Sequence, residues 1–175
     1  MNLWHDVNIK RITPQDFLAV IEIPKGCKNK YEMDKETGAL ILDRVLYTST
    51  HYPANYGFIP KTYADDLDPL DVLVLCSESI TPLAMVRCYP IGVISMVDGG
   101  YLDYKIIAIP FSDPNWNCYK RIEELPVHII DEMCHFFNVY KSLENKQTAI
   151  IEVKSVEDAQ KIISDNLEAY RKKYD

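Results

Sequence analysis

The apolar period of this chain changes once, after Pro126, and that change sets what it can fold into. Before it, short apolar segments follow at close intervals: Phe17 to Ile23, Lys30 to Met33, Leu40 to Arg44, Asp71 to Leu75, Met85 to Val97 and Lys105 to Ile109. Turn formers such as Pro24-Lys25-Gly26 and Thr37-Gly38 separate them, so each reads as a strand. Strands at that spacing suit a small closed or partly closed β-barrel. After Pro126, Ile129, Met133, Phe136 and Tyr140 recur at helical spacing, as do Ala159, Ile163, Leu167 and Tyr170, which predicts two helices of real length. Ser155 with Asp158 resembles a capping box with Asp in place of Glu. A strand near Ala149 to Val153 separates the helices. Thr13-Pro14-Gln15-Asp16 predicts one further helical turn ahead of the first strand. The expected fold is mainly β, a barrel with two longer flanking helices in the C-terminal half.

A chain of 175 residues is expected to form one domain over residues 1–175 and can bury a sizeable core. Its hydrophobic fraction of 47% and charged fraction of 26% are ordinary for a soluble globular protein. No apolar run approaches the roughly 20 residues of a membrane span, and Met1 to Arg11 lacks the apolar stretch of a signal peptide. Cys27, Cys76, Cys88, Cys118 and Cys134 are odd in number, widely spaced and without a CxxC. They are expected to be reduced thiols in a cytoplasmic protein. A formal net charge of −7 argues against nucleic acid as the main partner. It leaves room for a small anion accompanied by cations.

The chemistry gathers around "DDLDPLDVLV", residues 65–74, where Asp65, Asp66, Asp68 and Asp71 precede a run fit for a buried strand. Like charges this close repel, so they stand in water or share a cation. Carboxylates are hard ligands suited to Mg²⁺, Mn²⁺ or Ca²⁺. An EF-hand is excluded, because no Gly sits at the turn position and Ser77 stands where the bidentate Glu belongs. Taken alone, an Asp-Pro turn capped by solvated acids is an equal reading. Asp98 and Asp103 lie in "MVDGGYLDYK", which is also readable as an ordinary hairpin loop. Glu22 is late in the first strand, and Lys30 and Glu32 share a strand face while Asp43 and Arg44 face opposite sides. Each has a bland reading as the polar face of a half-exposed strand. In a barrel the side chains of one face converge, and acids mixed with Lys30, Arg44, Lys105 and Lys141 suit metal plus a polyanion.

Tyr52 and Tyr56 in "HYPANYGFIP" carry hydroxyls able to donate to phosphate oxygens, with aromatic packing as the competing role. Tyr140 likewise continues an apolar stripe, and Lys141 also suits a helix C-terminus. There is no P-loop, no G-x-G-x-x-G, no G-x-S-x-G and no H-E-x-x-H. His128 and His135 suit a surface or subunit contact better than a metal site. What remains is an acid-rich site with basic and phenolic groups, a combination that fits metal-dependent phosphoryl transfer to water.

At these residues the sequence resembles the soluble family I inorganic pyrophosphatases of short bacterial type. "VIEIP", "KYEMDKETGAL", "LDR", "YPANYGFIP", "DPLDVLV", "RCYPIGV", "DYKIIAIP" and "HFFNVYKSLE" occur in family order through nearly the whole chain. The resemblance implies an OB-like five-stranded barrel, hydrolysis of pyrophosphate to two orthophosphates, several Mg²⁺ ions per site, and a homo-oligomer, commonly a hexamer. It implies that Asp66, Asp71 and Asp103 hold activating Mg²⁺, with Asp71 bridging. Asp98, Asp103 and Glu32 hold Mg²⁺ arriving with substrate, and Glu22 acts through ordered water. Asp68 is the implied base toward the attacking water. Lys30 and Tyr56 grip the electrophilic phosphate; Arg44, Tyr140 and Lys141 grip the leaving phosphate, with Lys105 nearby. Two readings compete with this activity: an OB-fold nucleic-acid-binding module, which needs a basic aromatic groove, and a catalytically weakened relative kept as an assembly subunit.

Two positions depart from the family pattern. Leu67 stands where a small residue, often Gly, is usual, and Gly99 follows Asp98 where Glu is frequent. Leu67 is expected at negative φ, its side chain turned toward apolar neighbours and Pro69 keeping Asp68 extended.

Overall fold

A computed structural model describes residues 1–175. In chain order the strands and helices are β1 (Phe17–Ile23), β2 (Asn29–Met33), β3 (Leu40–Val45), β4 (Asn55–Phe58), β5 (Asp71–Val74), β6 (Met85–Asp98), β7 (Tyr101–Pro110), α1 (Val127–Val139), β8 (Thr148–Lys154) and α2 (Val156–Tyr174). Strand neighbours run β1-β4-β5-β7-β6, and β6 pairs back onto β1. Five strands therefore close into the OB-like barrel. The long β6 makes this possible: its first residues, Met85 to Cys88, pair with β1, and its last, Val93 to Asp98, pair with β8 outside the ring. Strands β2 and β3 form a separate hairpin.

The barrel wall is apolar on both faces, which is why its strands read as continuous apolar runs. Along β7, Ile106 and Ala108 join one buried cluster while Ile107 and Ile109 join another. Val72 and Leu73 of β5 divide in the same way. Phe136 and Phe137 of α1 complete the cluster containing Leu73 and Ile107, and Ala159 and Ile163 of α2 complete the other. The Ser155 hydroxyl accepts a bond from the Asp158 amide at 3.3 Å and donates to the Asp158 carboxylate at 3.0 Å, so α2 is capped as the sequence predicts. No helix is long and apolar enough to cross a membrane, and all five cysteines are unpaired.

Three local expectations are corrected. Thr13 to Asp16 is not helical; it is a turn closed by backbone bonds in both directions, 2.8 and 3.3 Å. A single turn cannot repay helix nucleation, and the Asp16 carboxylate is taken by Arg87 of β6 at 2.9 and 2.5 Å. Strand β4 was not expected, because Asn55-Tyr56-Gly57-Phe58 lies in a segment carrying two prolines and a glycine. All four residues are buried. A Cβ on Gly57 would stand 1.8 Å from the Val20 carbonyl oxygen, so only glycine lets β4 lie against β1 there. Finally, Asp43 and Arg44 meet instead of facing apart. Lys30 and Tyr31 pair with Arg44 and Leu42, which leaves Asp43 as the extra residue of a bulge.

Candidate active site

The mouth of the barrel holds a cleft of about 230 Å³. Its floor follows from strand register. Parallel pairing of β5 and β7 sets Asp71 opposite Lys105, and antiparallel pairing of β4 and β5 sets Tyr56 opposite Leu73. Lys105 is buried, and its ammonium donates to Asp71 Oδ2 at 2.7 Å, Tyr56 Oη at 2.8 Å and Asp103 Oδ2 at 2.9 Å. Burial acts to lower the pKa of Lys105, but Asp71, Tyr56 and Asp103 outweigh it and hold the group charged. Burial first, and Asp71 second, push the Tyr56 hydroxyl well up, so it stays a donor.

Acids line the walls. Burial raises Asp103, against Lys105 and with Asp71. Asp66 is open to solvent on one side and crowded on the other; that crowding, then the charge of Asp103, moves its carboxyl up. Glu22, nearly buried, is pushed to about 7 by burial, although it accepts the Met33 amide at 2.6 Å. That bond ties β1 to the hairpin. On the opposite wall Lys141 donates to Asp98 Oδ2 at 2.6 Å, with the Tyr140 hydroxyl 3.4 Å from the same oxygen. Lys30 pairs with Glu32, its neighbour on one strand face as expected, and lies 3.4 Å from Asp43.

Glu22, Lys30, Glu32, Tyr56, Asp66, Asp68, Asp71, Asp98, Asp103, Lys105, Tyr140 and Lys141 all line this cleft. Arg44 is not among the lining residues; it is the cross-strand partner of Lys30 and is held by Asp43 at 2.5 Å. Tyr52 belongs to the core, packed on Phe136 with ring centroids 4.7 Å apart. Sequence reasoning missed Trp4 and Lys35, which also line the cleft. Lys35 forms an ion pair with Asp68 and stands over the Trp4 ring at 5.7 Å. No strand or helix period reaches Lys35, which lies in the β2–β3 turn, so only its place inside "KYEMDKETGAL" marked it.

As the side chains stand, no three acidic or imidazole groups close on one point, with Asp71 and Asp103 turned toward Lys105. The donor set nevertheless suits a hard divalent cation. Every candidate is a carboxylate, and three of them have raised pKa values from crowding and burial, a penalty that a cation relieves.

Leu67 lies at φ +70°, contrary to the expected negative φ. The loop explains it. Ala64 accepts the Leu67 amide at 3.0 Å and donates to the Asp68 carbonyl at 2.8 Å, while Asp66 Oδ1 accepts the Asp68 amide at 3.1 Å. Closing so tight a turn takes a left-handed residue, and the Leu67 side chain is thrown into solvent, 65% exposed. Gly99 and Gly100, at φ +60° and +84°, are the two central residues of the β6–β7 turn between the paired Asp98 and Tyr101. Positive φ at both positions is what a two-residue hairpin turn of this kind demands, so a turn former stands at 99 in place of a carboxylate.

A closed barrel whose mouth sets carboxylates beside lysines and phenolic donors defines an enzyme acting on a small phosphate-bearing polyanion. A family model of inorganic pyrophosphatase matches residues 19–171. Soluble inorganic pyrophosphatase 2 of Chlamydomonas reinhardtii is 44% identical over 171 residues, covering 98% of this chain and 89% of that protein. Inorganic pyrophosphatase from Helicobacter pylori superposes with a TM-score of 0.90 at 39% identity, over 95% of this chain and 99% of that one. The Thermus thermophilus enzyme gives 0.93 at 33% identity, over 98% and 99%. The chain belongs to the inorganic pyrophosphatase family, whose activity is hydrolysis of pyrophosphate.

Proposed function

We propose that this chain, as one domain spanning residues 1–175, hydrolyses inorganic pyrophosphate to two orthophosphates with Mg²⁺. The observation that carries the reading is Lys105, buried and charged among Asp71, Asp103 and Tyr56 at the floor of an acidic cleft. Asp66, Asp71 and Asp103 are the residues that would hold activating Mg²⁺, and Asp98, Asp103, Glu32 and, through water, Glu22 those that would hold Mg²⁺ accompanying substrate. Mg²⁺ bound there supplies neutralisation of phosphate charge and an acidified water. Asp68 takes the proton of the attacking water as its oxygen bonds to the electrophilic phosphorus. The bridging P–O bond breaks, and its electron pair leaves with the second phosphate. Lys30 and Tyr56 hold the phosphate under attack; Lys141, Tyr140 and Arg44 stabilise the departing one, and Lys105 keeps Asp71 and Asp103 in place between them.

A nucleic-acid groove on this barrel would need a lining of net positive charge, and the charged residues of this cleft are seven carboxylates against four lysines. A cytoplasmic homohexamer is part of this reading and rests on the family resemblance. Orthophosphate release from pyrophosphate, with and without Mg²⁺, is the test. Release that requires Mg²⁺ is expected; no release at any Mg²⁺ concentration overturns the reading in favour of an inactive relative.

A further inference from the structure

Three polar side-chain atoms are buried without a hydrogen-bond partner: Nε and Nη2 of Arg44 and Oε2 of Glu144. All three belong to one contact. Glu144 ends a 3-10 turn, Ser142–Glu144, immediately after the Tyr140-Lys141 pair. Asn145 follows in the left-handed region at φ 57° and terminates that turn. Its side chain is only 6% exposed, and Oε1 lies 2.8 Å from Arg44 Nε, too far off the N–H axis to count as a hydrogen bond. On the other side of the guanidinium, Nη1 meets Asp43 Oδ2 at 2.5 Å. Two carboxylates thus bracket the planar group along two edges. Nη2 is left buried, with nothing to donate to.

Orphaned buried donors are uncommon in folded proteins. A guanidinium pinned along two edges by carboxylates keeps one orientation. Arg44 is the cross-strand partner of Lys30, which lines the cleft, and Asp43 is shared between them, so the guanidinium sits directly beside a cleft-lining cation. We propose that Glu144 is a positioning residue: its carboxylate, with that of Asp43, sets the orientation of the Arg44 guanidinium beside Lys30, the group that stabilises the departing phosphate. By this contact Glu144 couples the end of α1, with Tyr140 and Lys141, to the β2–β3 hairpin, so both grips on the departing phosphate move as one. The inference rests on the pyrophosphatase reading. A plain structural tie between helix and hairpin is the competing role, and it predicts a loss of stability without a change in substrate handling.

The test is steady-state hydrolysis of pyrophosphate at saturating Mg²⁺ by wild type, Glu144→Gln, Arg44→Ala and the double variant, with thermal unfolding of each. Glu144→Gln keeps the shape and loses the charge. It is expected to lower kcat/KM about tenfold, the scale of one charge-assisted contact, mainly through KM. In the Arg44→Ala background the same change is expected to cost almost nothing, since there is no guanidinium left to orient. If Glu144→Gln does not fold, Glu144→Asp, which keeps the charge on a shorter arm, is expected to show the same dependence on Arg44 at smaller size. An active wild type whose Glu144 variants have unaltered kcat/KM, or lose as much without Arg44 as with it, overturns this inference alone. A wild type that hydrolyses no pyrophosphate overturns the functional reading and this inference with it.

Discussion

Lys35 and Asp68, from the β2–β3 turn and the loop before β5, form an ion pair at the edge of the cleft. The contact is held from the N-terminus: the Asn2 amide donates to the Lys35 carbonyl at 2.6 Å, and Trp4 lies beneath the ammonium. Both side chains are about half exposed, and such pairs contribute about 0–1 kcal/mol, less in salt. Lys35→Ala is therefore expected to change unfolding free energy by less than about 1 kcal/mol. Because Lys35 orients the proposed base, turnover is expected to fall, by less than the roughly 10²–10⁴ that removal of a base costs. Urea unfolding and kcat on one preparation separate the two effects; a large stability loss with unchanged kcat would contradict this account.

Asp68 and Asp71 are close in sequence yet sit in different surroundings, and their variants should differ in kind. Asp68→Asn is expected to lose roughly 10²–10⁴ in turnover while keeping most of its Mg²⁺ affinity. Asp71→Asn should lose Mg²⁺ affinity directly. It should also lose about 1–3 kcal/mol of stability, because the buried Lys105 ammonium forfeits a charged partner. Calorimetric titration of Mg²⁺ into both variants decides it, and equal loss of affinity in the two would refute the division of roles.

Family resemblance predicts a homohexamer. Light scattering at micromolar protein is expected to give about six times the 20.2 kDa chain mass. A monomer mass would count against it.

Most of the barrel was legible because its strands are bounded by turn formers and its helices by a clean change of period. Strand β4 was not, since Gly57 and the flanking prolines are loop signals, and only the 1.8 Å approach to Val20 explains the glycine. The acids and bases of the cleft were legible through the family motifs and strand-face alternation. Alternation failed at Asp43, where a bulge breaks the period of two. Lys35, Trp4 and Glu144 carry no local pattern; each acquires its role from a partner distant in sequence, and only the fold brings the two together.

Asp113 gives the fold an acid-sensitive joint. Its carboxylate accepts the Ser77 amide at 2.7 Å, the Ser77 hydroxyl at 2.9 Å and the Asn115 amide at 3.0 Å, fastening the chain after β5 to the segment after β7. Burial acts to raise its pKa, but the bonds from Ser77 and Asn115 prevail and lower it. A carboxylate depressed in the folded state contributes stability above its unfolded value of 3.8, and loses it as pH falls through the folded value. Asp113→Asn should thus be less stable than wild type at pH 7, with the gap closing as pH drops below about 4. Urea midpoints at the two pH values measure this, and a gap that stays constant would exclude Asp113 as the source.

Leu67 presents the opposite case, a residue whose backbone is strained beside the aspartates proposed to hold Mg²⁺. At φ +70° a side chain with a Cβ costs about 1–2 kcal/mol relative to right-handed geometry, and glycine adopts the same φ freely. Little offsets that cost, since the Leu67 side chain is 65% exposed and its loss forfeits little burial. Glycine does lose more chain entropy on folding, by about 0.5–1 kcal/mol. The balance favours Leu67→Gly by up to about 1 kcal/mol. The loop's own bonds, from Leu67 to Ala64, Ala64 to Asp68 and Asp68 to Asp66, involve no Leu67 side-chain atom and survive the change. Asp66 and Asp68 then keep their positions with less strain, so half-maximal activity should come at equal or lower Mg²⁺. Urea unfolding of the metal-free protein and pyrophosphate turnover against Mg²⁺ concentration test both halves. A less stable Gly variant needing more Mg²⁺ would mean that Leu67 supports the loop through its side chain by more than its positive φ costs.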